Sequence, residues 1–96
     1  MTEMHFEWDD AKARENTRKH RLSFEEAQSI FLDEHAMRFF DLDHSSSGER
    51  FLMLGLSHRL RVLVVCHCFR ASDTVIRLIS ARKANKKEQA AYWNLR

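Results

Sequence analysis

The sequence predicts an α+β domain, a small antiparallel sheet with flanking helices in the order β-α-α-β-β-β-β-α. Three observations carry that expectation. Four strand-like apolar runs, at 36–41, 49–57, 60–69 and 74–82, follow one another with connections short enough for hairpins. Ahead of them, Ser23 and Glu26 form an S-x-x-E capping box that opens an amphipathic stretch. The 96 residues include no Pro and only 2 Gly, which favours regular elements and tight turns.

The elements follow in order. Met4 to Trp8 alternates as a short strand with Phe6 and Trp8 on one face. Asp9 or Asp10 then caps a helix running to about His20, polar enough that only a narrow stripe of it is buried. In the second helix Leu22 is placed as a hydrophobic staple, and Phe24, Ala27, Ile30 and Phe31 fall at helical spacing; it ends near Asp33. The loop from Asp43 to Glu49 separates the first two strand-like runs, and Ser57–Arg59 and Arg70–Asp73 are turn-length connections. A last helix begins near Ala84.

Length and composition limit the function. One domain, residues 1–96, is expected, burying roughly 60–65% of its unfolded surface. Hydrophobic residues at 44% and charged residues at 31% suit a folded chain rather than a disordered one. No apolar run reaches the ~20 residues that span a bilayer, and the acidic start MTEMHFEWDD is unlike a signal peptide, so a cytoplasmic protein with no membrane partner is expected. The net charge of +2 conceals a division: residues 1–49 carry 6 Lys/Arg against 12 Asp/Glu, and residues 50–96 carry 10 against 2. Such asymmetry fits a polyanionic partner, or two halves that pair with each other in the fold.

Cofactor chemistry finds no support. Cys66 and Cys68 share one face of a strand and His67 takes the other, so the three do not converge on one ion; core packing is the expectation for the thiols, and no metal is expected. There is no nucleophile elbow, the serines of the HSSSGE loop lack the strand-to-helix context of one, and no Gly-rich phosphate loop occurs. No cofactor is expected.

What remains is basic. Arg50, Arg61, Arg77 and Arg82 fall in strand-like runs, and Arg77 interrupts TVIRLISA where an apolar residue belongs. Guanidinium groups suit bidentate phosphate contacts, and several on one sheet would stabilise a phosphate gaining charge in a transition state; singly, each is also well explained by a carboxylate partner or a sheet edge. Lys12, Asn16, Lys19 and His20 share one face of the first helix. Arg82 and Lys83 end a strand just before a helix that carries Lys86 and Lys87, a corner that is either solvated surface or a phosphate site. The bland version pairs Arg82 with Glu88.

Taken together, these stretches resemble the BrnT family of toxins. FEWDDAKARENTRKHRLSFEEAQSIFLD, from Phe6 to Asp33, resembles the family's opening; DHSSSGERFLMLG resembles its Asp-x-x-His…Gly-Glu-Arg stretch; RVLVV and RLISARKANKKEQAAYW resemble its final strands and helix. Arg21 stands where the family commonly has Gly, a departure in the turn between the first two helices. The resemblance implies a RelE-like fold and a ribonuclease toxin of a type II toxin–antitoxin module. It further implies a cognate antitoxin with a ribbon-helix-helix or similar DNA-binding domain, and contact with operator DNA only through that antitoxin. A metal-free ribonuclease uses the 2′-hydroxyl of its RNA as nucleophile and needs a base, an acid and cations. Arg61, Arg77 and Arg82 are the residues expected to stabilise the phosphate, with Glu49 and His20 for proton transfer. Lys19, Arg50, Lys83, Lys86 and Lys87 are expected to hold the RNA backbone. The alternatives are a non-catalytic module of such an operon that binds nucleic acid or a partner, and a stand-alone metabolic enzyme, which the missing cofactor motifs disfavour.

Overall fold

The structure, a computed structural model, describes residues 4–44 and 48–94. The serines of the HSSSGE loop, Ser45 to Ser47, lie outside the described residues. Its elements are β1 (His5–Glu7), α1 (Asp10–His20), α2 (Phe24–Ser29) with a 3-10 turn (Ile30–Leu32), β2 (Met37–Phe40), a 3-10 turn (Leu42–His44), β3 (Phe51–Leu56), β4 (Val62–Arg70), β5 (Val75–Lys83) and α3 (Lys86–Asn94). The expected order of strands and helices is present. The sheet, however, is mixed rather than antiparallel: its order is β1-β5-β4-β3-β2, and β1 lies parallel to β5 through His5↔Val75 to Glu7↔Arg77. Only β2 to β5 form the antiparallel meander that short connections dictate. The first strand returns to the far edge because two helices intervene before the meander begins.

Asp9 caps α1, accepting from the Lys12 N–H at 3.1 Å. At its other end Arg21 takes the left-handed conformation, φ 56°, and donates its N–H to the Thr17 carbonyl. A helix ends this way most easily on Gly, so Arg21 adopts this turn at a backbone cost of roughly 1 kcal/mol. Ser23 Oγ caps α2 at the Glu26 N–H as expected. The reciprocal half of the box does not form, because the Glu26 carboxylate turns instead to Ser57 and Arg61. The apolar face then continues as a 3-10 turn that buries Ile30. Gly55 makes that approach possible: a Cβ there would sit 3.1 Å from Ile30 Cβ and 3.2 Å from Ala36 Cβ.

The two sheet faces differ. One buries Leu22, Phe24, Ala27 and Ile30 of the α1–α2 region against Met53, Leu63, Val65, Ile76, Leu78 and Ala81. The opposite face buries Leu54, Val62 and Val64 under Ala84 and Tyr92. The Tyr92 hydroxyl donates to Asp33 Oδ2 at 2.5 Å, and that oxygen also accepts the Leu56 N–H at 2.9 Å, so one carboxylate ties α3 to the end of β3. These partners hold Asp33 below the usual carboxylate range against the opposing effect of its burial.

Strand alternation separates Cys66 from His67, as expected. Cys66 is buried, its thiol pushed up to about 11 by burial and by Asp41; Cys68 is half-buried, and both are free thiols. His67 is fully buried among Phe31, Phe51 and Phe69. Its Nδ1 lies 3.2 Å from the Val65 carbonyl, which only accepts, so Nδ1 carries the proton and Nε2 is left without a partner. Burial pulls its pKa from 6.5 down to about 4. A histidine depressed in the folded state favours the fold above pH 6.5, and that advantage is lost as pH falls from 6.5 toward 4. Urea unfolding of the wild type and His67→Phe should therefore diverge by about 2 kcal/mol between pH 7.5 and pH 5. A constant difference between the two across that range would show that His67 does not titrate in this way.

Candidate functional site

β5 is the strand that assembles the basic residues. A bulge between Cys66 and His67 lets β5 carry one extra residue, so Arg77 pairs with Cys68, Ser80 with Cys66 and Arg82 with Val64. Those three β5 side chains therefore lie on the face that carries α3, beyond or beside the part that α3 covers. Arg50, just before β3, extends the same face near Cys66 and Asp41. Of the four arginines grouped from the sequence, Arg50, Arg77 and Arg82 share this face, and Arg61 does not.

Each guanidinium is oriented. Arg77 Nη1 donates to Glu7 Oε2 at 2.8 Å, and the same oxygen takes Arg70 Nε at 3.5 Å. Arg82 makes a two-pronged pair with Glu88, at 2.7 and 2.8 Å. Glu88 also accepts the Asn85 N–H, while Asn85 Oδ1 accepts the Glu88 N–H, so Arg82 is fastened to a reciprocal cap at the start of α3. Glu88 raises the Arg82 pKa, and Arg82 in turn lowers that of Glu88. The pair anticipated in the bland reading of this corner is therefore present. The Arg82 side chain nonetheless remains 43% exposed and that of Arg77 32%.

The edge of β5 adds the residues of α1. β1 pairs only as far as Arg77. Beyond it Asn16, buried, takes the ladder position: its Oδ1 accepts the Ala81 N–H at 2.9 Å and its Nδ2 donates to the Leu22 carbonyl at 3.0 Å. A groove of about 180 Å3 runs along this edge, with Lys12, Lys19, His20 and Ser80 in its wall. Of the helix face expected from the sequence, Asn16 proves to be the anchor, and Lys12, Lys19 and His20 stand in the groove wall.

The other expected site residues are elsewhere. Arg61 stands before β4 at the β3–β4 turn, where Nε donates to Glu26 Oε2 at 2.9 Å and Nη2 donates to Oε1. Ser57 Oγ donates to the same carboxylate at 2.7 Å. Burial raises the Glu26 pKa, and Arg61 and Ser57 more than reverse that. Glu26 is 2% exposed, so this is a partly buried ion pair joining α2 to the turn. Glu49 lies in a cleft on the helical face with Arg38, Phe51, Phe69 and Asp73. That cleft is at the end of the sheet opposite Arg61, and the six residues of β3 separate the two by roughly 17–20 Å. Lys83 lines a shallow hollow beside Arg61 and Trp93; Lys86 and Lys87 begin α3, with Lys87 against Phe39 and Leu52. The five proposed catalytic side chains thus divide into one group along β5 (His20, Arg77, Arg82) and two outliers (Arg61, Glu49). Sequence reading missed Glu7, Ser80 and Arg38, for which strand pairing is the only signal. The ion pairs Glu7–Arg77 and Glu26–Arg61 also show that the acidic and basic halves do partly neutralise each other.

Arginines on one face of β5, with lysines along the edge that β1 leaves uncovered, give this α+β protein a basic strand. Comparison with known proteins supplies the family. The model of the family described as ribonuclease toxin, BrnT, of type II toxin–antitoxin systems matches residues 8–88. The chain belongs to that family. The crystal structure of the Brucella abortus ribonuclease toxin BrnT superposes with a TM-score of 0.62 at 20% identity, covering 90% of this chain and 100% of that one. The fold is therefore BrnT-like. No curated protein sequence matches the chain. Family membership implies a ribonuclease toxin with an antitoxin partner. Among the described residues no helix is long and apolar enough to cross a membrane.

Proposed function

We propose that this chain cleaves RNA by attack of the 2′-hydroxyl on the adjacent phosphorus, without a metal ion, on the β5 face. The observation that supports it is the placement of Arg77 and Arg82 on one side of β5, with His20 and Lys19 along the edge of the same strand. In this reading the two guanidiniums neutralise the non-bridging oxygens as charge develops, each already aimed by its carboxylate. His20 exchanges a proton with the attacking or the leaving oxygen. The 2′-oxygen forms the new P–O bond, the 5′-oxygen leaves with a proton, and the products are a 2′,3′-cyclic phosphate and a 5′-hydroxyl. Lys19, Arg50, Lys83, Lys86 and Lys87 hold neighbouring backbone by charge. Arg61 belongs to the Glu26 pair in this reading, and Glu49 lies apart from the reacting phosphate. Induction of the chain alone should arrest growth and shorten cellular RNA; arrest with intact RNA would favour the non-catalytic, partner-binding alternative instead.

The antitoxin is proposed to carry a ribbon-helix-helix or similar DNA-binding domain that alone meets operator DNA, and an acidic segment that covers the β5 face. The net positive charge of residues 50–96 supports this. Association should slow markedly between 50 and 300 mM salt, and RNA should compete; a salt-independent on-rate would place the partner on another surface.

A further inference from the structure

The largest cavity among those described is not on the β5 face. It is a cleft of about 410 Å3 on the helical face, walled by Arg38, Glu49, Phe51, Phe69 and Asp73. That volume falls within the ~300–1,000 Å3 range of small-molecule sites. Register explains its composition: Arg38 lies beside Met53, Phe51 beside His67 and Phe69 beside Ile76, so β2, β3 and β4 each add one large side chain to the same end of the sheet. The rings of Phe51 and Phe69 meet edge to face at 5.5 Å. The Arg38 guanidinium sits over both, 4.9 Å from the Phe69 centroid and 5.9 Å from that of Phe51. Asp73 enters from the β4–β5 turn, where its left-handed backbone, φ 68°, ends a run of three such residues.

We propose that this cleft is a guanine-binding subsite for single-stranded RNA, an inference that rests on the ribonuclease reading for the source of the base. Its lining has one cation and two carboxylates, which disfavours a phosphate. Its flat element, the Arg38 guanidinium laid over the two aromatic rings, is the kind of surface on which an unstacked base lies. Guanine is the base whose Watson–Crick edge presents two adjacent donors, N1–H and N2–H, which a single carboxylate accepts together. Adenine, cytosine and uracil each place an acceptor next to their donor and would set it against a carboxylate. The β4–β5 turn also separates this cleft from Arg77 by only a few residues of β5, so one RNA strand passing around that turn can engage both faces.

The test titrates isotope-labelled full-length protein with 5′-GMP, 5′-IMP, 5′-AMP, 5′-CMP and 5′-UMP, following the amides of Phe51 and Phe69. The nucleotides share one phosphate, so differences between them report the base. GMP should bind at least tenfold more tightly than the others, IMP included, because it lacks the N2 donor. Glu49→Gln and Asp73→Asn should each reduce that preference by severalfold; Asn tolerates the left-handed backbone, so the second change leaves the turn intact. Cleavage sites mapped on a long RNA should cluster beside guanosine for the wild type and spread for both variants. Equal affinity for the five nucleotides would overturn the proposal, as would variants that weaken antitoxin binding yet leave nucleotide preference unchanged. RNA cleavage without base preference would defeat the subsite alone, whereas selective GMP binding without cleavage would support the subsite and defeat the ribonuclease reading.

Discussion

Arg77→Ala is expected to slow RNA cleavage by about 10²–10³-fold, the usual loss when one preorganised donor to a developing oxyanion is removed. The residue stands in a strand position where packing alone would favour an apolar side chain, and its partner Glu7 is 39% exposed. Loss of so exposed an ion pair costs at most about 1 kcal/mol of stability, so the variant should fold. Arg82→Ala should show a comparable loss of cleavage together with a small fall in melting temperature, because Glu88 and the cap of α3 lose their partner. Arg82→Lys keeps the charge but not the fork, and only partial recovery is expected. Single-turnover cleavage and thermal unfolding measured on the same samples distinguish the roles. Full activity with lowered stability in Arg82→Ala would make the Glu88 pair the whole of its function.

Arg61→Ala is expected to destabilise the fold by about 3 kcal/mol, since it leaves the buried Glu26 carboxylate with Ser57 but no cation. Glu26→Leu combined with Arg61→Met should recover most of that loss, because removing both charges leaves neither stranded. The double variant also settles how Arg61 contributes to the reaction. If the guanidinium only secures the β3–β4 turn, the double variant cleaves RNA at close to the wild-type rate. If it stabilises the phosphate, stability returns and cleavage does not.

Local signals announced most of the fold. Caps at Asp9 and Ser23 and the alternation in the four strand-like runs are contacts between residues near in sequence, and each corresponds to an observed element. The parallel docking of β1 on β5 joins residues 70 apart, Glu7 and Arg77 among them, and no local pattern encodes such a choice. The same limit governed the site. Arg77 was legible because it breaks an apolar strand, Arg82 because it stands at a strand-to-helix corner, and Arg50 because it falls in a strand-like run. The bulge in β5 that keeps Arg77 and Arg82 on one face despite their odd spacing was not legible. Nor was the partner of Arg61, since Glu26 reads from sequence as half of a capping box. The cleft of Arg38, Phe51 and Phe69 draws on three strands and becomes visible only once their register is known.

The most direct test of the central claim is the chemistry of the product ends. Purified wild-type protein, in excess EDTA, is given an RNA oligonucleotide and its counterpart with 2′-deoxyribose at the mapped cleavage site, and the fragments are weighed by mass spectrometry. Attack by the 2′-hydroxyl predicts a 2′,3′-cyclic phosphate and a 5′-hydroxyl from the RNA, and no cut at the deoxy position. Cleavage of the deoxy substrate, or activity that EDTA abolishes and a divalent ion restores, would contradict the mechanism.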